Sequence, residues 1–355
     1  MVDVPHAPAA SRIGDRMVAL DGLRGLAVIC VLFEHFTYNE VIRSFSPGAV
    51  GVKTFFVLSG FLITGVLLDL RRKLPVAEAA RRFFARRLRR LGPAFVTALV
   101  LAAGFGLANV ARDWPWHVTY LSNVQVWWQG NWSGAGHFWT LALEQQFYLI
   151  WFPVVVVLPR RWLLAVLLGV IAFAPVFRSA ILFGASPFID VLLPAQSDAL
   201  AAGGLIALAV RGDRRVQRVL RLTEPWVVAG LVALLAALLS LSALGVARPD
   251  WLNWVVIPSV IVATATAIIA TAVTEPDRLA LLRLPVLTWM GTISYGLYIY
   301  HYFVPQFFAA YVPAIAEAET PLLKVVRLVM WIAVSLALAQ TSWTLVERRF
   351  LQNGR

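Results

Sequence analysis

Residues 20–36 read LDGLRGLAVICVLFEHF. The stretch is apolar enough to enter a membrane, yet it carries Asp21, Arg24, Glu34 and His35. A charged side chain inside a bilayer costs about 2.5–3.5 kcal/mol on insertion scales, so a span that keeps such groups has a use for some of them. Arg24 and His35 are eleven residues apart, three helical turns, and share a face. At a rise of about 1.5 Å per residue they lie roughly 16 Å apart along the axis. One face of one helix therefore carries a fixed cation at one membrane depth and an imidazole at another. Asp21 reads as local structure or as a partner for a nearby arginine. Glu34 points about 100° away from His35.

The remainder of the chain is of the same kind. It has 355 residues, 60% hydrophobic and 14% charged, with a mean hydropathy of +0.75. Soluble domains carry about 25% charged residues, so this is a polytopic membrane protein. Apolar runs predict an all-α bundle of about ten transmembrane helices. They fall near 17–36, 49–70, 91–111, 137–158, 162–178, 188–210, 225–246, 251–273, 285–306 and 322–346. Residues 1–16 are polar and read as a cytoplasmic tail, 17–346 as the membrane domain, and 347–355 as a second cytoplasmic tail.

The net charge of +12 has a topological explanation and does not indicate nucleic-acid binding. Most Lys and Arg fall in alternate connections: 71–90, 160–161, 211–221, 278–283 and 348–355, together with Arg12 and Arg16. Basic residues favour cytoplasmic loops, which places both termini inside. Lys53 and Arg178 fall near the opposite side, Lys53 as a side chain that snorkels to the interface. That side also holds six of the fourteen tryptophans, between 112 and 139, as an aromatic belt or a lip for a sugar or acyl chain. Cys30 stands alone, which excludes an intramolecular disulfide and a thiolate zinc cluster, and no metal site is expected.

Four further segments carry polar chemistry. In GVKTFFVLSGFLIT, residues 51–64, Ser59-Gly60 reads as a close-packing point between helices. FFARRLRRLGP, residues 83–93, holds Arg86, Arg87, Arg89 and Arg90; forked guanidinium donors suit phosphate. HFWTLALEQQFYLIWFP, residues 137–153, places Glu144 inside a span with Tyr148 one turn on. TISYGLYIYHYF, residues 292–303, puts Ser294, Tyr298 and His301 on one helical face.

Taken together these segments resemble the acyltransferase-3 family of integral membrane acyltransferases. The likeness rests on five motifs in order: Arg24 and His35 spaced as Arg-x10-His; FFVLSGFLI at 55–63; Arg87 and Arg90 ahead of Pro93; Phe138, Trp139, Leu141, Glu144, Phe147 and Tyr148; and Ser294, Tyr295, Tyr298 and His301. SDALAAGG at 197–204 resembles a weaker signature. Two departures stand out. Lys53 sits where the family often has an acid, and Arg349 follows Glu347-Arg348 where it usually has proline.

The resemblance implies an O-acyltransferase of the bacterial inner membrane. It would move an acyl group, most often acetyl, from cytosolic acyl-CoA to a hydroxyl of a sugar, glycan or glycosylated small molecule. His35, Arg24 and Glu144 would be catalytic. Arg87, Arg90 and Arg24 would hold the donor. Tyr148, Ser294, Tyr295, Tyr298, His301 and Trp139 would meet substrate. His35 acts either as general base or as carrier of an acyl-histidine, with Glu144 orienting the imidazole. The competing class is a transporter or flippase for a glycolipid or polyketide, which shares the spans, the buried charges and the aromatic lip.

Overall fold

The structure is a computed structural model that describes residues 9–37, 39–132, 134–213, 215–216, 221–317 and 320–352. Arg214, Arg218 and Arg355 of the basic segments lie outside the described residues, as do the side chains of Arg12 and Arg16. Helices follow one another along the chain: α1 (Ala9–Phe36), α2 (Glu40–Ser44), α3 (Pro47–Lys73), α4 (Val76–Gly104), α5 (Val110–Val118) and α6 (Ser122–Gln129). They continue as α7 (Trp139–Val157), α8 (Arg160–Ser179), α9 (Leu193–Val210), α10 (Pro225–Ala243), α11 (Ile257–Thr274) and α12 (Pro285–Thr292). The last are α13 (Ser294–Tyr300), α14 (Phe303–Tyr311), α15 (Pro313–Ala316), α16 (Pro321–Ser342) and α17 (Arg348–Gln352). No strand occurs among the described residues.

Among the described residues, seven helical stretches are long and apolar enough to cross a membrane: 40–73, 136–157, 160–183, 187–210, 225–243, 252–274 and 321–351. Three predicted spans fall elsewhere. α1 and α4 have the length, at 28 and 29 residues, but they carry the charges that mark the site. The span at 285–306 is a discontinuous helix: it breaks after Thr292 and again at His301-Tyr302, giving α12, α13 and α14. Interrupted backbone at membrane depth is tolerated where protein, rather than lipid, surrounds it. Ser294 Oγ donates to Gly291 O at 2.8 Å and so meets one carbonyl of that break.

α1 begins at Ala9, within the segment read as a tail. Glu347 is buried at the end of a π turn (Trp343–Glu347) that carries α16 into α17.

α3, α9 and α11 form the centre: in each the apolar stretch is two-thirds or more buried, at 67%, 78% and 67%. α8, α10 and α16 form the rim, at 17%, 11% and 17%. α3 packs against α1, α7, α9 and α11. Its crossing with α9 is close because both carry glycine at the contact. A Cβ on Gly60 would lie 1.9 Å from Leu200 O, and one on Gly203 would lie 2.0 Å from Val57 O. Without a hydrophobic drive between helices in lipid, such small-residue contacts let backbones approach and gain dispersion energy. The Ser59-Gly60 reading is thereby met. α1 lies against α12 in the same manner, with a Cβ on Gly291 placed 1.8 Å from Asp21 O.

Lys53 does not snorkel. It is 4% exposed and its Nζ donates to Gln196 Oε1 at 2.7 Å. Arg178 is fully buried and pairs with Asp198 at 2.8 Å, and it also donates to the carbonyls of Trp254 and Ala195 and to Ser259 Oγ. Both basic residues are therefore interior groups. Asp198 supplies the carboxylate from the SDALAAGG segment.

Candidate active site

Two layers stack along the face of α1. At one end lie three histidines. His35, in the last turn of α1, places its ring 4.9 Å from that of His301, edge to face. His301 lies 5.6 Å from His137, which sits in the 3-10 turn Gly136–Phe138 ahead of α7. Tyr302 stacks on His137 at 4.6 Å and meets the edge of His35 at 5.7 Å.

Each imidazole gives one ring N–H to a main-chain carbonyl. His35 Nδ1 donates to Val31 O at 2.9 Å. His301 Nδ1 donates to Tyr298 O at 2.8 Å and Leu297 O at 3.1 Å. His137 Nε2 donates to Ile299 O at 3.1 Å. Carbonyl oxygens only accept, so these nitrogens carry the protons. His35 Nε2 then presents a lone pair, the form a general base needs. His301 Nε2 and His137 Nδ1 are buried with no hydrogen-bond partner. The three do not form a metal-ligand group among the described residues.

At the other end is a cavity of about 320 Å³. Its charged lining is Asp21 and Arg24 from α1, Arg87 and Arg90 from α4, and Glu144 from α7. Arg24 Nη1 lies 3.7 Å from Asp21 Oδ1, one turn away. The guanidinium of Arg87 rests over the rings of Tyr148, at 5.5 Å, and Phe83, at 5.8 Å. Tyr148 donates to Glu144 Oε2 at 3.0 Å, and Ser59 Oγ lies 3.0 Å from the Tyr148 hydroxyl. Glu144 thus belongs to the arginine end. No hydrogen bond joins it to His35 among the described residues, and the imidazole is oriented by the Val31 carbonyl instead.

Tyr298 stands between the layers. It lines the cavity, and its ring is 5.7 Å from His301 and 5.9 Å from His137. Its hydroxyl accepts from Thr140 Oγ1 at 2.6 Å and donates to His137 O at 2.7 Å. His35 is not part of the cavity wall.

Of the other residues singled out, Ser294 and Tyr295 line the cavity with committed hydroxyls: Tyr295 donates to Leu91 O at 2.7 Å and ties α13 to α4. His301 is wholly buried in the histidine layer. Trp139 lies outside the cavity wall, 5.9 Å from Phe56 and 6.4 Å from Trp132. Trp132 is 52% exposed and 5.8 Å from Phe188, so an aromatic ledge continues from Trp139 to the surface. Sequence reasoning missed His137, although it immediately precedes the FW motif. It also missed Thr140 and the place of Asp21 in the cavity wall.

An all-helical membrane protein with an arginine-lined cavity below a free imidazole has the parts of a group-transfer site. The chain matches the acyltransferase domain over residues 17–342, and it belongs to that family. Among curated relatives it is 27% identical to the peptidoglycan O-acetyltransferase OatA of Listeria monocytogenes, over 95% of this chain and 56% of the relative. It is 28% identical to YrhL of Bacillus subtilis, provisionally named a peptidoglycan O-acetyltransferase, over 94% of this chain and 55% of that one. The chain therefore spans just over half the length of the curated relatives it matches. No solved structure matches.

Proposed function

We propose that this protein is a multi-pass O-acyltransferase of the bacterial inner membrane. It takes an acyl group, acetyl above all, from cytosolic acyl-CoA and places it on a hydroxyl of a sugar or glycan. One observation carries the reading: Arg24, Arg87 and Arg90 share a cavity that ends at Tyr298, directly beneath the histidine layer containing the free Nε2 of His35. Family membership and relatives named for O-acetylation support it. Met17 in the cavity wall beside Arg87 and Arg90, and Phe350 and Leu351 in a second, arginine-lined hollow, support a reading in which both termini lie on the basic, cytoplasmic side.

In this reading Arg87 and Arg90 hold donor phosphates and Arg24 draws the chain inward. His35 Nε2 takes the proton of the acceptor hydroxyl as its oxygen attacks the thioester carbonyl. The C–S bond breaks, and the departing thiolate recovers a proton from the imidazolium. The acyl-histidine route uses the same nitrogen as nucleophile. Glu144 and Tyr148 set the charge and shape of the donor end. The transporter alternative has no observation of its own behind it.

Incubation of the purified chain with isotopically labelled acetyl-CoA and glycan acceptors tests the reading. Labelled O-acetyl product is expected. Intact movement of the acceptor across vesicles with no acetyl product would overturn it.

A further inference from the structure

Beyond the inner cavity lies a second hollow of about 370 Å³, which shares Val66, Arg87 and Arg90 with the first. Its remaining charged wall is Arg82, Arg86 and Arg89, and Phe350 from α17 closes one side. The five guanidinium groups are not equivalent. Arg82 pairs with Glu78 one turn earlier. Arg89 gives a single N–H to Ala85 O at 3.3 Å and keeps its remaining donors. Arg86, Arg87 and Arg90 have no carboxylate bridge among the described residues. Four cations with no carboxylate within ion-pair distance among the described residues thus stand within five residues of one helix, Glu144 acting on Arg87, and Asp21 and Glu347 on Arg90, only from further off. Side chains three and four apart on a helix are neighbours, so they repel unless an anion sits among them.

We infer that this hollow is a separate subsite for the 3′-phosphate of the donor nucleotide. Arg86 and Arg89 hold that phosphate, and Phe350 lies against the adenine. The inference rests on the acyl-CoA reading and deepens it. Arg87 and Arg90 line both hollows, so they stand where the diphosphate joins the pantetheine arm to the adenosine. Arg86 and Arg89 line only the outer hollow, beyond that junction. The charge matches in kind. A diphosphate brings one negative charge on each phosphate, and a phosphate monoester about −1.5 to −2 near neutral pH. The four unbridged guanidinium groups offset that sum. The site thereby selects a free nucleotide donor over acyl groups carried on a bare phosphopantetheine, which lacks the adenosine and its phosphate.

The experiment is calorimetric titration of the full chain, in nanodiscs of zwitterionic lipid, with CoA and with 3′-dephospho-CoA. CoA is expected to bind at least about tenfold more tightly, the size of one good charge-assisted contact. Arg86→Gln and Arg89→Gln each bring that ratio toward one, whereas Arg90→Gln weakens both ligands. Arg86 is exposed, so its replacement leaves the packing intact. Equal binding of the two ligands by the unaltered protein overturns the subsite and leaves the acyl-CoA donor standing. A ratio that survives both Arg86→Gln and Arg89→Gln does the same. Binding of neither ligand removes the acyl-CoA reading itself, and the subsite with it.

Discussion

His35, His137 and His301 each have one ring nitrogen fixed by a main-chain carbonyl, so their proton positions are set by backbone that cannot titrate. Tyr298 separates them from the arginine cavity by two hydrogen bonds, each worth about 1 kcal/mol net. Tyr298→Phe keeps the ring and removes both. Acetyl-CoA hydrolysis without acceptor, followed as free thiol release, is expected to rise several-fold in that variant. An unchanged rate would show that the hydroxyl does not hold the layers apart. Arg24 and Glu144 were legible in the sequence because a charge in an apolar span is conspicuous. The place assigned to Glu144 was not legible: its partner is Tyr148 on its own helix, and nothing in the spacing revealed that the Val31 carbonyl already orients His35. His137 escaped notice because its ring meets His301 and Tyr302 from a distant part of the chain, outside any helical period.

At the level of helices, the α3–α9 crossing depends on backbone contact at Gly60 and Gly203. Gly60→Ala puts a methyl group into the Leu200 carbonyl, and the added carbon has no flexible neighbour to displace. A loss of at least about 3 kcal/mol is expected, read as a fall in detergent-resistant melting temperature. A variant that melts like the original would contradict the observed crossing. α5 makes a separate prediction. His117 is 2% exposed, against Phe138 and hydrogen-bonded to Ser122 at 2.9 Å, and burial lowers its pKa to about 4. The unfolded chain takes up that proton near pH 6.5, before the folded one. Stability is therefore full above about pH 6.5 and declines as pH falls toward about 4. His117→Gln is expected to flatten that acid limb in thermal melts, and an unchanged limb would count against the burial argument. The long apolar helices were legible; the short helices α2, α5, α6 and α15 between the spans were not. The breaks in 285–311 were not, because hydropathy averages over a window and reports one span where the backbone makes three short helices.

Across the whole molecule, the basic end stands apart from a set of interior charges that includes the Arg178–Asp198 pair and Lys53. Arg178 and Asp198 are at most 3% exposed and pair with each other. Replacing Arg178 with Met removes the ion-pair partner of buried Asp198 and leaves it the Ala199 N–H and the more distant charge of Lys53; breaking a buried pair in this way costs about 3–5 kcal/mol. Severe loss of folded protein is expected. The double change Arg178→Met with Asp198→Leu should recover part of it, measured by monodisperse yield and melting temperature. No recovery would show that the pair's other hydrogen bonds, and not its charge, set the cost. The sequence placed Arg178 and Lys53 at the outer ends of their spans because composition records that a residue is basic, not that a carboxylate or an amide lies across the bundle from it.

The claim joining these scales is that His35 Nε2 carries out the transfer while the arginine cavity only holds the donor. His35→Ala, compared with the unaltered protein for labelled acetyl transfer and for CoA binding in the same preparation, tests it directly. Because His35 is absent from the cavity wall, CoA binding is expected to persist while transfer falls at least about a hundredfold. Transfer at the unaltered rate would contradict the account.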